Sequence, residues 1–191
     1  LILGERSFGG LSGLMMHEAS HSWYQAILAS NEALYPWQDE GFADFSSQES
    51  MAFIFGKPMT EAHTDSYAGY FNLIKRGFQE PIGQHSDHYS TNTAYNTAAY
   101  SMGTIFLNQL KYIIGQDVFY KGMKTYYDAW KFRHPEPNDF LRVMEKVSGL
   151  ELKWYLNYWV HTTKRIDYGV RNVVNKEGAT FITLERIGQF P

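Results

Sequence analysis

The 191-residue sequence contains no cysteine, which excludes disulfides, thiolate metal sites and a cysteine nucleophile and leaves the redox compartment open. Any metal must therefore be held by His, Asp or Glu. Positive charge is scarce: 17 Lys and Arg stand against 20 Asp and Glu, a formal net charge of −3. Without a basic footprint the attraction behind most nucleic-acid binding is missing, so no nucleic-acid partner is expected. Long apolar runs are missing too. Stretches such as Met51 to Phe55 fall far short of the ~20 residues needed to cross a bilayer, and no membrane span is expected. Leu1 to Phe8 lack the charged start and apolar stretch of a signal peptide, so any export signal is expected to lie outside this chain, and localisation is left undetermined.

Aromatic residues are abundant, at 17% with 14 tyrosines, as in a protein with a large buried core or a lined cleft. From Leu11 to Ala29 apolar residues recur at helical spacing, with Leu14, His17, His21, Tyr24 and Leu28 on one stripe expected to face the interior. Pro36 interrupts the pattern, and a second helix is expected from about Gln38 to Phe55, ended by Gly56-Lys57-Pro58. A third is expected over Thr60 to Arg76, followed by an irregular stretch from Gly77 to Asn92. Helical periodicity then returns over Thr93 to Ile114, Asp117 to Trp130, Asn138 to Val147 behind the Pro135-Glu136-Pro137 start signal, and Leu150 to Val160. After Thr163 alternation replaces it: Ile166, Tyr168 and Val170, then Phe181 to Arg186 beyond Asn175-Lys176-Glu177-Gly178, predict a hairpin. Two strands alone are marginal in water, so the other strands of its sheet are expected in a longer parent protein.

His17-Glu18-Ala19-Ser20-His21 fits the pattern H-E-x-x-H. Residues four apart on a helix lie nearly above one another, so both imidazoles converge on one point and a zinc ion fits between them. Glu18 is displaced around the helix from that axis, where its carboxylate can reach a water on the metal without binding the metal itself, the position of a general base. A catalytic zinc needs a third protein ligand and an open fourth position. Glu40, 18 residues beyond His21 and near the start of the second helix, is the best candidate. Asp44, one turn further, is a candidate to accept the second N–H of His17 or His21.

At these residues the chain resembles the aminopeptidase N family of zinc metallopeptidases, gluzincins whose pattern is H-E-x-x-H, a gap of 18, then Glu. Trp37-Gln38-Asp39-Glu40-Gly41-Phe42-Ala43 is similar to the family's W-L-N-E-G-F-A, and Tyr100-Ser101-Met102-Gly103 to its Y-x-K-G element. The resemblance implies one zinc per chain on His17, His21 and Glu40, with Glu18 as general base and Tyr100 stabilising the tetrahedral intermediate. Met102 departs from the family's lysine, and Ser47 stands where the family often has a second glutamate, for which Asp44 is the candidate substitute. The implied fold is mainly α-helical: residues 1–164 form a thermolysin-like helical catalytic subdomain, and 165–191 begin a following β-sandwich domain. The implied partner is a peptide substrate, cleaved at its N-terminal residue by a full-length parent. The family's G-x-M-E-N motif, which grips the substrate amine, does not precede His17, so N-terminal as well as C-terminal domains of that parent are expected to be missing here.

Other readings stay open on the sequence alone. A thermolysin-type endopeptidase shares the same ligands, and a zinc-holding fragment that binds peptides without turnover satisfies them too. A structural zinc is disfavoured because such sites are usually rich in cysteine. Tyr100, apart from its Y-x-x-G context, reads as a core or rim tyrosine. His85 and His88, flanking Asp87, read as a solvated loop pair or a second metal site. His63, His134 and His161 have no partner that spacing identifies.

Overall fold

The computed structural model describes residues 7–190, so most of the opening stretch weighed above for an export signal lies outside the described residues. Among the described residues, eight α-helices are followed by one β-hairpin: α1 (Phe8–Ser20), α2 (Pro36–Ile54), α3 (Thr64–Arg76), α4 (Asn92–Asn96), α5 (Gly103–Ile114), α6 (Gln116–Trp130), α7 (Pro137–Ser148), α8 (Lys153–His161), β1 (Tyr168–Lys176) and β2 (Ala179–Arg186). The mainly helical expectation with a terminal hairpin holds. No described helix is long and apolar enough to cross a membrane.

The first expected helix is shorter than its periodicity implied. It ends at Ser20, and residues 22–27 form a wide π-type turn with Ala26 N–H donating to His21 O and Leu28 N–H to Trp23 O. The break falls at Tyr24 and Gln25, the latter at φ +89°, a conformation that side chains rarely adopt. Tertiary contacts hold it there. The Tyr24 ring packs on Phe42, and the carbonyls of Ile27 and Leu28 accept from the amides of Phe132 and His134. Of the predicted interior stripe only Leu28 is buried; Leu14, His17, His21 and Tyr24 are half-buried. The long helix expected from Thr93 is divided likewise into α4, a π-type turn over Thr97–Met102, and α5.

Helix α2 is the centre of the structure. It packs on α1 along one side and on the 97–102 turn and α5 along the other. Trp37, Phe42, Phe45, Ala43 and Ala52 are buried. Their rings join a continuous aromatic core in which Trp37 meets Phe106 at 4.9 Å, Phe42 and Tyr126 each meet Phe140 at 5.1 Å, and Phe106 meets Tyr155 at 5.0 Å. Edge-to-face and tilted contacts of this kind add to the large burial of apolar area. Tyr155 also donates its O–H to Phe106 O at 2.6 Å, so its one polar atom is satisfied inside the core.

Local signals read in the sequence explain several boundaries. Pro36 occupies the first turn of α2, where its missing N–H costs nothing. Glu136 and Asp139 form a reciprocal capping box ahead of Pro137, which starts α7 as expected. Gly77 ends α3 in the left-handed region at φ +72°. In the hairpin, Glu177 and Gly178 both take positive φ, the two-residue turn that matches strand twist. Its strands pair Tyr168 with Arg186 through Lys176 with Ala179 around a bulge at Val170/Asn172, and Val170, Val173, Phe181, Ile182 and Leu184 are all exposed. The chain returns to the helical core only at Phe190, buried against Tyr158 and Trp159.

A close backbone approach lies next to the predicted site. A Cβ on Gly41 would sit 2.7 Å from Gly103 Cα and 2.9 Å from the Ala99 carbonyl oxygen, whereas one on Gly13 would meet only Met51 Cε, at 4.0 Å. Gly41→Ala is therefore expected to destabilise the chain by ~1–3 kcal/mol through overpacking. Gly13→Ala should stabilise it by up to about 1 kcal/mol through helix propensity. Urea unfolding followed by circular dichroism checks both, and equal effects at the two sites would refute this packing argument.

Candidate metal centre

Helices α1 and α2 lie antiparallel, so that His21 faces the first turn of α2 and His17 the next. The result is a triangle of atoms. His17 Nε2 lies 3.1 Å from Glu40 Oε2, His21 Nε2 lies 3.2 Å from the same oxygen, and the two Nε2 atoms are 3.0 Å apart. Among the described residues this is the one group of three or more His and acidic side chains whose ligand atoms all lie within 4.8 Å of one another. A tetrahedral zinc with bonds of about 2.0–2.1 Å needs donors roughly 3.3 Å apart. The triangle therefore fits the ion after opening by a few tenths of an ångström, and its two imidazoles and one carboxylate are a donor set that catalytic zinc uses.

Both imidazoles are oriented from behind. His17 Nδ1 lies 3.3 Å from Asp44 Oδ1, and His21 Nδ1 lies 2.6 Å from Asp39 Oδ1. A carboxylate at Nδ1 fixes the proton there and leaves the Nε2 lone pair directed at the metal position. Asp44 was legible as a candidate for this role. Asp39 was not singled out, although it directly precedes Glu40; its signal is that adjacent helical residues project ~100° apart, so one turn can supply both a ligand and a carboxylate behind a facing histidine.

The charges of this cluster shift its protonation. Burial alone would pull His17 down, but the Asp44 and Glu40 carboxylates outweigh it and raise the imidazole to about 9. Asp39 and Glu40 raise His21 to about 10 against the opposing effect of burial. Burial would raise Glu40, yet hydrogen bonds from His17, His21 and Tyr100 hold it down at about 2. Without a metal, protons supply the positive charge that the carboxylates require.

Tyr100 comes from the 97–102 turn. Its ring stacks on His17, with centroids 5.7 Å apart and planes 19° apart. Burial, then the adjacent Glu40 carboxylate, push its phenol well above the usual tyrosine range, so it is a hydrogen-bond donor at any physiological pH. Glu18 is exposed, next to His17 on α1. A cavity of about 510 Å³ borders the cluster, with Gly13, Leu14, His17, Asp44, Met51 and Tyr100 in its wall.

Other histidines behave differently. His85 and His88 pack ring to ring at 5.3 Å, and His85 Nδ1 accepts from the Asp87 amide, a local turn rather than a cluster of metal ligands. His134 Nδ1 contacts the Ala29 carbonyl at 2.8 Å. His63, which spacing left without a partner, is buried with Nδ1 2.9 Å from Gln48 Oε1.

Comparison with known proteins decides the family. Residues 9–159 match the Peptidase family M1 domain. The chain belongs to peptidase family M1. Aminopeptidase B of Mus musculus is 27% identical over 172 residues, covering 86% of this chain and 24% of that protein. The alanine/arginine aminopeptidase of Saccharomyces cerevisiae is 25% identical over 174 residues, covering 90% of this chain and 20% of that one. The chain thus spans about a quarter or less of the length of these relatives. In fold it is similar to the M1 zinc metallopeptidase of Deinococcus radiodurans, at a TM-score of 0.63 and 19% identity over 78% of this chain and 32% of that one. The resemblance carried by residues 17–21, 37–43 and 100–103 therefore reflects membership of the M1 family.

Metal uptake at this centre should be strongly coupled to pH. Both imidazoles are raised above their ordinary 6.5, so their contribution to metal-free stability is complete below about pH 6.5 and lost as pH climbs through 9 to 10. Glu40, depressed from 4.5, contributes fully above 4.5 and loses that contribution as pH falls toward 2. Zinc must displace the imidazole protons, so its affinity is expected to rise steeply with pH, approaching two protons released per ion below about pH 9. Zinc titrations across pH 6–9 in two buffers of different ionisation enthalpy measure this, and a pH-independent affinity would rule out the cluster as the binding site.

Proposed function

We propose that this chain is the metal-binding core of a zinc-dependent peptidase that removes N-terminal residues from peptides. The observation that carries the reading is the convergence of His17, His21 and Glu40 on one point, with Tyr100 stacked beside them. The M1 membership of residues 9–159 and the aminopeptidase names of the relatives support it. One zinc per chain would be held by His17, His21 and Glu40. When bound, it would supply a Lewis acid that lowers the pKa of a water and polarises the scissile carbonyl.

The chain's own residues account for the remaining chemistry. The Glu18 carboxylate takes a proton from the attacking water and delivers it to the departing amine as the C–N bond breaks. Tyr100, kept protonated by burial and by Glu40, donates its O–H to the oxygen that gains charge as the carbonyl becomes tetrahedral. Asp39 and Asp44 hold the two imidazoles in the tautomer that binds metal.

The substrate amine has to be gripped by residues beyond this chain, in line with the much greater length of the relatives. Residues 165–191, whose described part meets the helical body through Phe190 and an Arg165–Gln79 hydrogen bond and is otherwise mostly exposed, are read as the start of a β-sandwich domain of the same longer protein, with residues 1–164 as the helical catalytic subdomain.

In the longer protein, Glu18→Gln is expected to lower kcat by about 10²–10⁴-fold while zinc content stays at one per chain. Tyr100→Phe should lower kcat by about 10²–10³-fold with KM little changed. Free-amino peptides should be cleaved and N-acetylated counterparts spared. Equal cleavage of both would point to an endopeptidase, and zinc uptake without turnover in the unmodified protein would point to a peptide-binding module.

A further inference from the structure

Behind Asp44 the contacts continue. Gln48 Nε2 donates to Asp44 Oδ2 at 3.1 Å, and Gln48 Oε1 faces His63 Nδ1 at 2.9 Å. Ser66 Oγ, within 3.0 Å of Nε2 and 3.2 Å of Oε1, adapts to either end of the amide. His63 is 3% exposed and stacks on Phe45, with centroids 4.8 Å apart and planes 16° apart. Its Nε2 lies 3.6 Å from Glu49 Oε1, and Glu49 is held by Lys111 and by the Tyr120 hydroxyl at 2.7 Å. A connected path therefore runs from His17 through Asp44 and Gln48 to His63, whose Nε2 has no hydrogen-bond partner among the described residues.

A buried imidazole is expensive where an aromatic hydrocarbon would fill the same stack, and of the two His63 nitrogens only Nδ1 has a hydrogen-bond partner among the described residues to offset that cost. The Asp44 carboxylate can only accept, so the Gln48 amide turns its NH₂ end to Asp44 and its Oε1 to His63, which must then donate from Nδ1 and so holds the amide in that orientation. With the amide reversed, its carbonyl would face a carboxylate and two acceptors would be opposed.

We propose that Gln48 and His63 are positioning residues for the metal centre: they hold the Asp44 carboxylate against His17 Nδ1 and thereby fix the tautomer and ring orientation of that ligand. This rests on the reading of His17, His21 and Glu40 as the zinc ligands. It also gives a physical reason for Asp44 to act where the related pattern places an acid at the position of Ser47. Ser47 instead donates to the Asp44 main-chain carbonyl at 3.0 Å, and reinforces the same turn of α2.

The test compares zinc affinity, measured by competition with a chromophoric chelator, with thermal unfolding of the metal-free chain. His63→Phe keeps the stack on Phe45 and removes the donor; His63→Asn keeps a donor at the Nδ1 position. His63→Phe is expected to weaken zinc binding by about 10–100-fold without lowering the metal-free unfolding midpoint, and His63→Asn to recover affinity to within about threefold of the unmodified chain. Gln48→Leu, which leaves the His63 stack in place, should show the same loss. Unchanged affinity in His63→Phe or Gln48→Leu would overturn the proposal, as would a loss in His63→Phe that His63→Asn does not recover. An unmodified chain that takes up no zinc would instead sink the metal reading itself.

Discussion

The structure depends on one pairing: α1 against α2, antiparallel, with two imidazoles facing three carboxylates in a half-buried seam. Asp39, Glu40 and Asp44 all lie within ion-pair distance of His17 or His21. Desolvating such a group of like charges is unfavourable unless positive charge accompanies it. In the metal-free chain the raised imidazoles and the depressed Glu40 provide it with protons. A divalent cation would meet the same need, so the features that destabilise the seam alone are those that would favour a bound metal.

What keeps the seam together is the packing on the far side of α2. Gly41, next to the candidate ligand Glu40, lets α2 approach Gly103 backbone to backbone, and the aromatic core from Trp37 to Tyr155 locks the helix against α5 and α7. The same approach sets the 97–102 turn, and with it Tyr100, beside His17. A rigid helix thus presents Glu40 to one side while its opposite side is buried. Holding first contacts by packing, and orienting them with carboxylates one layer behind, is how a metal site keeps geometry within the tolerance its chemistry demands.

Much of this was readable in the sequence because it rests on local rules. The H-E-x-x-H pair converges by helical geometry alone, and the break at Pro36 and the start signal at Pro135 to Pro137 placed α2 and α7 to within a residue or two. The hairpin followed from alternation and a turn signal at Asn175 to Gly178. The break after His21 was not readable. Periodicity carried on through Tyr24 and Leu28, but the Tyr24–Phe42 contact and the backbone bonds from Phe132 and His134 override it, and those partners lie far away in the chain.

By itself, then, the sequence determined the chemistry of the candidate site: with no cysteine, a metal had to fall to His, Asp and Glu, and two histidines one helical turn apart named their own point of convergence. Tertiary structure alone decided how those candidate ligands are held. Asp39 behind His21, and the path from Asp44 through Gln48 to a buried His63, join residues from different helices. Sequence spacing fixes neighbours within one helix by its pitch, whereas neighbours between helices are chosen by packing, which no local pattern specifies.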